Sequence, residues 1–196
     1  MSTRRSAMRG LAVFAAMIAG AKRAQALNLF GDYYENVARA AAQNDAALVR
    51  QLVGSGEGDP NMTDEQSRTG LHYAAMNGNL TILAILIKAK AKLNPVDNLG
   101  DTPLHLAADR GQTEAAILLL DVGAEVDPQN KEGQTPLMIA ASRGNLELVR
   151  ALLAKGASAT KTDYTGRDAL GWAQDSNRPA VVAAIRRAQG AAAGGS

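Results

Sequence analysis

The chain has 196 residues, 46% of them apolar and 20% charged, with six prolines, no cysteine and a formal net charge of +2. That is one domain's worth of material, apolar enough for a core and too ordinary in charge for a coiled coil or a disordered tail. The absence of cysteine excludes disulfide staples, thiolate nucleophiles, cysteine-held zinc or iron–sulfur clusters, a lipoprotein-type lipid anchor and thiol redox chemistry. Aromatic residues are 4%, so the core must be built from Ala, Leu, Ile and Val, which favours small helices packed tightly. The sequence pI near 9.0 hints at nucleic acid or an acidic membrane, a hint that depends on where the charges sit.

Residues 1–26 carry Arg4, Arg5, Arg9, Lys22 and Arg23 and no acidic residue; the first is Asp32. Between the charged ends lies the apolar run Leu11 to Ala19, followed by small residues ending Ala24-Gln25-Ala26. A charged start, a short apolar middle and an A-x-A ending are the parts of a secretory signal peptide, with cleavage expected after Ala26. The run falls short of the ~20 apolar residues that span a bilayer core. Thr3 to Arg9 resembles the twin-arginine export signal of bacteria, although Ala7 and Met8 stand where that signal has bulkier apolar residues. A mitochondrial transit peptide should be amphipathic, and Leu11 to Ala19 has no polar face. Without the leader, 16 basic residues face 19 acidic ones, a net charge of −3. The basic pI belongs to the leader.

The rest of the chain repeats every 33 residues. Gly100, Gly133 and Gly166 recur at that interval. Thr102-Pro103-Leu104-His105 with Ala107-Ala108 and Gly111 is echoed by Thr135-Pro136-Leu137-Met138 with Ala140-Ala141 and Gly144. One period earlier stand Thr69-Gly70-Leu71-His72, Ala74-Ala75 and Gly78. A second apolar stretch follows each: Ile82 to Ile87, Ile117 to Leu120, Leu148 to Leu153. Self-similarity at this period marks a stacked repeat architecture. Each Thr can cap a helix, Pro103 and Pro136 fit the first helical position, and the glycines suit a helix end where φ turns positive.

On these residues the chain resembles the ankyrin-repeat family over about residues 32–189. The resemblance implies an all-α solenoid of antiparallel helix pairs joined by β-hairpin-like loops, with three full repeats (67–99, 100–132, 133–165) between two capping repeats (32–66 and 166–189). The caps are expected to be degenerate because solenoid ends face water. Arg167-Asp168-Ala169-Leu170 replaces the Thr-Pro-Leu-His text, and Tyr33, Tyr34, Glu35 and Arg39 are added to the first cap. Gly190–Ser196 is small and polar, expected to be a disordered tail. Lys90 stands where Gly123 and Gly156 stand later, so that turn is expected to be strained or reshaped.

Chemistry-bearing motifs are scarce. His72 and His105 lie one period apart, equivalent rather than convergent, and Met138 fills the same slot next, so they do not read as a metal or catalytic pair. The expected role of each imidazole is to bond its threonine and the backbone of the neighbouring loop. No phosphate-binding, dinucleotide, nucleophile-elbow or EF-hand pattern occurs. Asp64-Glu65 and Asp127 with Glu132 fall in expected loops, and Ser142 has no base in register. The run Lys88-Ala89-Lys90-Ala91-Lys92 lacks interleaved aromatics and reads as a solvated helix end. The expectation is therefore no enzyme, no cofactor, no metal and no nucleic-acid partner.

What remains is a binding scaffold, monomeric when alone, with no stable membrane anchor after cleavage. In ankyrin proteins partners lie on the concave side formed by the hairpin tips and the exposed face of the first helices. By register the resemblance implies Glu65, Gln66, Arg68, Met76 and Asn77 in the first full repeat, and Asn98, Leu99, Asp101, Asp109 and Arg110 in the second. It implies Lys131, Glu132, Gln134, Ser142 and Arg143 in the third, and Tyr164, Thr165 and Arg167 near the last cap. Trp172 occupies the position of Leu106 and Ile139 and is expected to pack. The expected function is a non-catalytic protein-binding module in the bacterial periplasm, or secreted. The alternatives are a periplasmic accessory protein supporting a catalase in oxidative-stress defence, which similar small bacterial ankyrin proteins provide, or an inhibitor or immunity protein for a toxin or enzyme.

Overall fold

The computed structural model of the chain describes residues 36–56 and 58–193. The leader, the Tyr33/Tyr34 pair and Ser196 with its two preceding residues lie outside them. Among the described residues there are ten helices and no strand: α1 Val37–Ala42, α2 Ala46–Gly54, α3 Gly70–Asn77, α4 Leu80–Lys88, α5 Pro103–Asp109, α6 Thr113–Asp121, α7 Pro136–Arg143, α8 Leu146–Ala154, α9 Ala169–Asp175 and α10 Pro179–Ala193. The fold is an all-α repeat solenoid.

Local sequence starts each helix. Asn36, Asp45, Asn79, Asn145 and Asp168 sit just before α1, α2, α4, α8 and α9, and each side chain accepts the amide three residues on. Pro103 and Pro136 open α5 and α7, where the missing N–H is no loss. α3 and α7 end on Gly78 and Gly144 in the left-handed conformation. In the terminal pairs Asn44 and Asn177 take the same role at φ 58° and 52°, asparagine being tolerant of that region.

The first helix of each pair stacks on the next in one layer (α1, α3, α5, α7, α9), and the second helices form the other. Ala41, Ala74, Ala107, Ala140 and Ala173 recur one period apart, and each is fully buried. A methyl group at this seam lets the helix backbones approach closely. The second layer is filled with larger side chains, including Ile82, Leu83, Leu86, Leu119, Leu148, Leu152 and Ile185, all buried. Each such leucine or isoleucine contributes about 1.5–3 kcal/mol. The first layer is the more closely packed, which bends the array toward the first helices and the loop tips.

Adjacent repeats are also tied by polar contacts. The Thr69 amide donates to His72 Nδ1 at 3.0 Å, so Nε2 carries the proton and donates to the Asp101 carbonyl of the next loop at 3.0 Å. His105 repeats the arrangement with Thr102 and the Gln134 carbonyl at 3.1 and 3.0 Å. Met138 keeps only the local half, its sulfur accepting from the Thr135 amide at 3.4 Å. A second ladder runs on the other side of the loops. Asn61 accepts from the Lys92 amide, Asn94 from the Glu125 amide and Asp127 from the Ser158 amide, at 2.7, 3.0 and 2.8 Å.

The tips pair in series: the Asn98 amide donates to the Gln66 carbonyl, Lys131 to Leu99 and Tyr164 to Glu132. Gly133 sits at φ 77° in this ladder, and a Cβ there would lie 2.8 Å from the Tyr164 nitrogen, so close approach as well as backbone sign demands glycine. Lys90 retains the left-handed turn at φ 58°, in the slot of Gly123 and Gly156, at a cost of about 1–2 kcal/mol.

One expectation is corrected. The tail expected to lack structure from Gly190 begins inside α10, which continues to Ala193. The alanines after Gly190 are the best helix formers, and one glycine costs only about 1 kcal/mol inside a helix.

Burial lowers the pKa of both histidines, outweighing the backbone carbonyl that each bonds. Protonating Nδ1 would also set two N–H groups against each other. Both imidazoles therefore stay neutral where the unfolded chain begins to bind protons, below its ordinary value of 6.5. Their stability contribution is complete above that pH and is lost as pH falls from it toward the folded value. Asp97 and Asp163 are also lowered, backbone and side-chain donors outweighing burial, and their loss begins only below 3.8. Thermal unfolding followed from pH 7 to pH 5 is expected to show a falling midpoint. In His72→Met with His105→Met the midpoint at pH 7 drops, but its dependence on pH over that interval disappears.

Candidate functional site

The bend of the array forms a groove of about 470 Å³ between the tips and the first helices. Its floor comes from one register position, where Leu106, Ile139 and Trp172 project from α5, α7 and α9, with Met76 and the tip residue Leu99 beside them. The positions next along the same helices, at their C-terminal ends, carry Asp109, Arg110, Ser142 and Arg143. The tip side carries Asp101, Lys131, Glu132 and Gln134, and Arg68 reaches in from the preceding loop.

Of the residues expected from register, Arg68, Met76, Leu99, Asp101, Asp109, Arg110, Lys131, Glu132, Gln134, Ser142 and Arg143 line this groove. Glu65, Gln66, Asn77, Asn98, Tyr164, Thr165 and Arg167 do not. Several of these brace the scaffold. Asn98 donates to the Glu65 carbonyl at 3.1 Å and accepts from Ser67 at 2.7 Å. Asn77 donates to Asn44 at 3.3 Å. Gln66 accepts from Tyr73 at 3.3 Å. Thr165 Oγ1 donates to Asp163 at 2.6 Å and accepts from Arg167 at 3.0 Å.

The groove's charges are partly committed as well. Arg68 pairs with Asp97 at 3.0 Å, where the carboxylate also accepts the Leu99 and Asp101 amides and so fixes the turn under the tip. Asp101 accepts from Asn130 at 2.9 Å across the repeat boundary. Lys131 donates to the Asn98 carbonyl at 2.9 Å. Asp109 lies between two cations: Arg143 of the next repeat bonds it directly, and Arg110 approaches at 3.6 Å. Both guanidiniums are largely exposed and hold little fixed energy in that pairing, about 0–1 kcal/mol. They remain available to a carboxylate or carbonyl of another chain.

Among the described residues Leu99 and Tyr164 are the most exposed large apolar side chains, at 61% and 74%. Leu99 overhangs the groove, whereas Tyr164 covers Gly133 on the tip. Trp172 does more than pack. It is half-buried, lines the groove, donates Nε1–H to Asp163 at 3.0 Å and carries Arg167 3.8 Å above its ring. Tyr73, in the same register two repeats before Ile139, bonds Asp64 in the same way, so each aromatic of this register is held by the turn carboxylate of its own loop.

Register also missed His105, Leu106, Asn130, Met138 and Ile139 as groove-lining residues. Leu106 and Ile139 share a register that reads as packing, His105 and Met138 share the helix-start slot, and Asn130 carries no signal in the sequence; the groove is where these positions meet the surface. His105 reaches it with both ring nitrogens already bonded, so it is not a base open to a substrate. Ser142 bonds Ser176 at 3.2 Å rather than any base. Among the described residues no group of His, Asp and Glu could hold a metal ion. None of their helices is long and apolar enough to cross a membrane. The arrangement can bury apolar side chains of another chain along its floor and bond that chain's polar groups at both rims.

A family model for ankyrin repeats, described as three copies, matches residues 37–130 and 118–191. The chain belongs to the ankyrin-repeat family. No curated protein matches it. Ankyrin repeats bind protein partners and are generally non-catalytic, which agrees with a groove built of anchors and exposed cations rather than of a nucleophile and base.

Proposed function

We propose that the chain is an exported protein-binding module that receives its partner on the concave face. The observation that carries this reading is the groove itself. Five apolar floor and rim residues (Met76, Leu99, Leu106, Ile139, Trp172) lie beside the exposed pair Arg110 and Arg143, in a groove of about 470 Å³. An apolar or aromatic anchor surrounded by polar groups is the composition of an interface centre. Leu99, Ile139 and Trp172 supply the area a partner buries, on a floor that Leu106 completes from within the core; Arg110, Arg143, Lys131 and Glu132 orient the bound chain; Asp101, Asn98 and Arg68 hold the tips in place. Met76, Asp109, Gln134 and Ser142 complete the groove wall, and Glu65, Gln66, Asn77, Tyr164, Thr165 and Arg167, which lie outside it, act at the margin of the contact or through the scaffold.

Export to the periplasm rests on the leader: five basic residues, no acidic ones, a short apolar run and Ala24-Gln25-Ala26. A repeat stack without cysteine places no demand on the redox state of that compartment.

Two experiments test this. A photo-crosslinking residue in place of Leu99 captures the partner from a periplasmic extract, and Arg110→Glu with Arg143→Glu is expected to reduce that capture at least tenfold with an unchanged thermal midpoint. Undiminished capture by the charge-reversed variant rejects the concave assignment. For export, Arg4→Lys with Arg5→Lys is expected to hold the protein in the cytosol, read by fractionation. Normal export of that variant removes the twin-arginine route and leaves secretion by another route standing.

A further inference from the structure

On the opposite side of the molecule, α8 and α10 run side by side in the second layer, and between them lies another groove of about 420 Å³. From α8 it receives Leu146, Arg150 and Leu153, spaced four and three residues apart on one helix face. From α10 it receives Ala180, Ala183, Ala184 and Arg187. The groove exists because of the alanines. At the register positions of Ala183 and Ala184 the three full repeats have Ala84 and Ile85, Ile117 and Leu118, and Arg150 and Ala151, so only in α10 do methyl groups stand at both. The result is a recessed apolar trough with an arginine in each wall.

Those arginines have no fixed partner. Arg68, Arg143 and Arg167 each pair with a carboxylate, whereas Arg150 and Arg187 have no ion pair or hydrogen bond among the described residues. The nearby charges strengthen the contrast. Glu147 is the one acidic residue of α8, α10 has none, and from Ser176 to the C-terminus the sequence holds Arg178, Arg186 and Arg187 and no Asp or Glu. A module that is net negative without its leader thus gathers unpaired positive charge around one apolar trough.

We propose that this trough is a second docking site, which takes an acidic amphipathic helix of a partner protein. A ridge of side chains on a helix fits the furrow between two others, and its leucine-sized residues would lie on Leu146, Leu153 and the alanines. Carboxylates flanking that ridge would meet Arg150 and Arg187, whose guanidiniums favour bidentate pairing. The apolar residues are recessed between two helices rather than protruding, which suits an inserting side chain better than a flat lipid surface. No aromatic side chain lines the trough for nucleotide bases to stack on. The site is independent of the concave groove, so one copy could bridge two partners.

The test uses the full chain and a synthetic fluorescent 16-residue helix with leucines along one stripe and glutamates on both flanks, titrated by anisotropy. Saturable binding is expected. It should weaken at least tenfold in Arg150→Glu with Arg187→Glu, and equally in Ala183→Leu, which fills the trough without changing charge. It should stay within twofold in the concave variant Arg110→Glu with Arg143→Glu. The same peptide with lysine for glutamate should not bind. Circular dichroism checks that each variant folds, all substituted side chains being exposed. The proposal is overturned if the glutamate peptide fails to bind at millimolar protein, or if binding survives both groove variants. It is also overturned if phosphatidylglycerol vesicles bind with the same dependence on Arg150 and Arg187 and displace the peptide, since the site would then be a membrane contact.

Discussion

The close approach of the first helices governs the rest of the structure. A short helix of six to eight residues is not stable alone, since its nucleation is unfavourable and it forms too few hydrogen bonds to compensate. It persists because it is sandwiched between copies of itself, and the sandwich closes because Ala41, Ala74, Ala107, Ala140 and Ala173 put nothing larger than a methyl group in the seam. The tips can then bond one another in series, His72 and His105 can reach the next loop, and Leu106, Ile139 and Trp172 line up as a single floor. The groove is therefore a product of stacking rather than of any one repeat.

The two layers divide the work. In the first, small residues give proximity and a continuous binding surface. In the second, larger aliphatic residues fill the space between helices that stand further apart. Where the second layer in turn becomes small, at Ala183 and Ala184, it opens a trough of its own. The same substitution of methyl for branched side chain therefore yields tight contact when a neighbour can close on it and a docking furrow when none does.

Much of this was legible in the sequence because a 33-residue period repeats chemistry as well as hydropathy. Thr-Pro-Leu-His fixed a helix start, a bonded histidine and the direction of a loop at once. Lys90, in the slot of Gly123 and Gly156, marks a turn that is either strained or reshaped, and the structure keeps the left-handed backbone there. Less legible were contacts that couple unlike positions. Arg143 with Asp109 and Asn130 with Asp101 join residues 34 and 29 positions apart, and which of the nearby polar groups meet depends on loop geometry that residue type does not encode. Trp172 was assigned to packing because its register matched a core leucine, yet the curvature leaves that register half open. The trough between α8 and α10 went unseen because a run of alanines carries no motif. The helix through Ala193 was missed because Gly190 resembles a stop, although glycine ends a helix only when the chain after it has somewhere else to go.

The seam can be tested directly by enlarging one methyl in each layer. Ala107 lies at the centre of the first layer, fully buried, whereas Ala84 is exposed on α4. In urea-induced unfolding, Ala107→Leu is expected to lose about 1–3 kcal/mol, the usual cost of overpacking, while Ala84→Leu stays within about 0.5 kcal/mol of the parent. If Ala107→Leu unfolds at the same urea concentration as Ala84→Leu, the first helices do not depend on close approach, and the origin assigned to the groove is wrong.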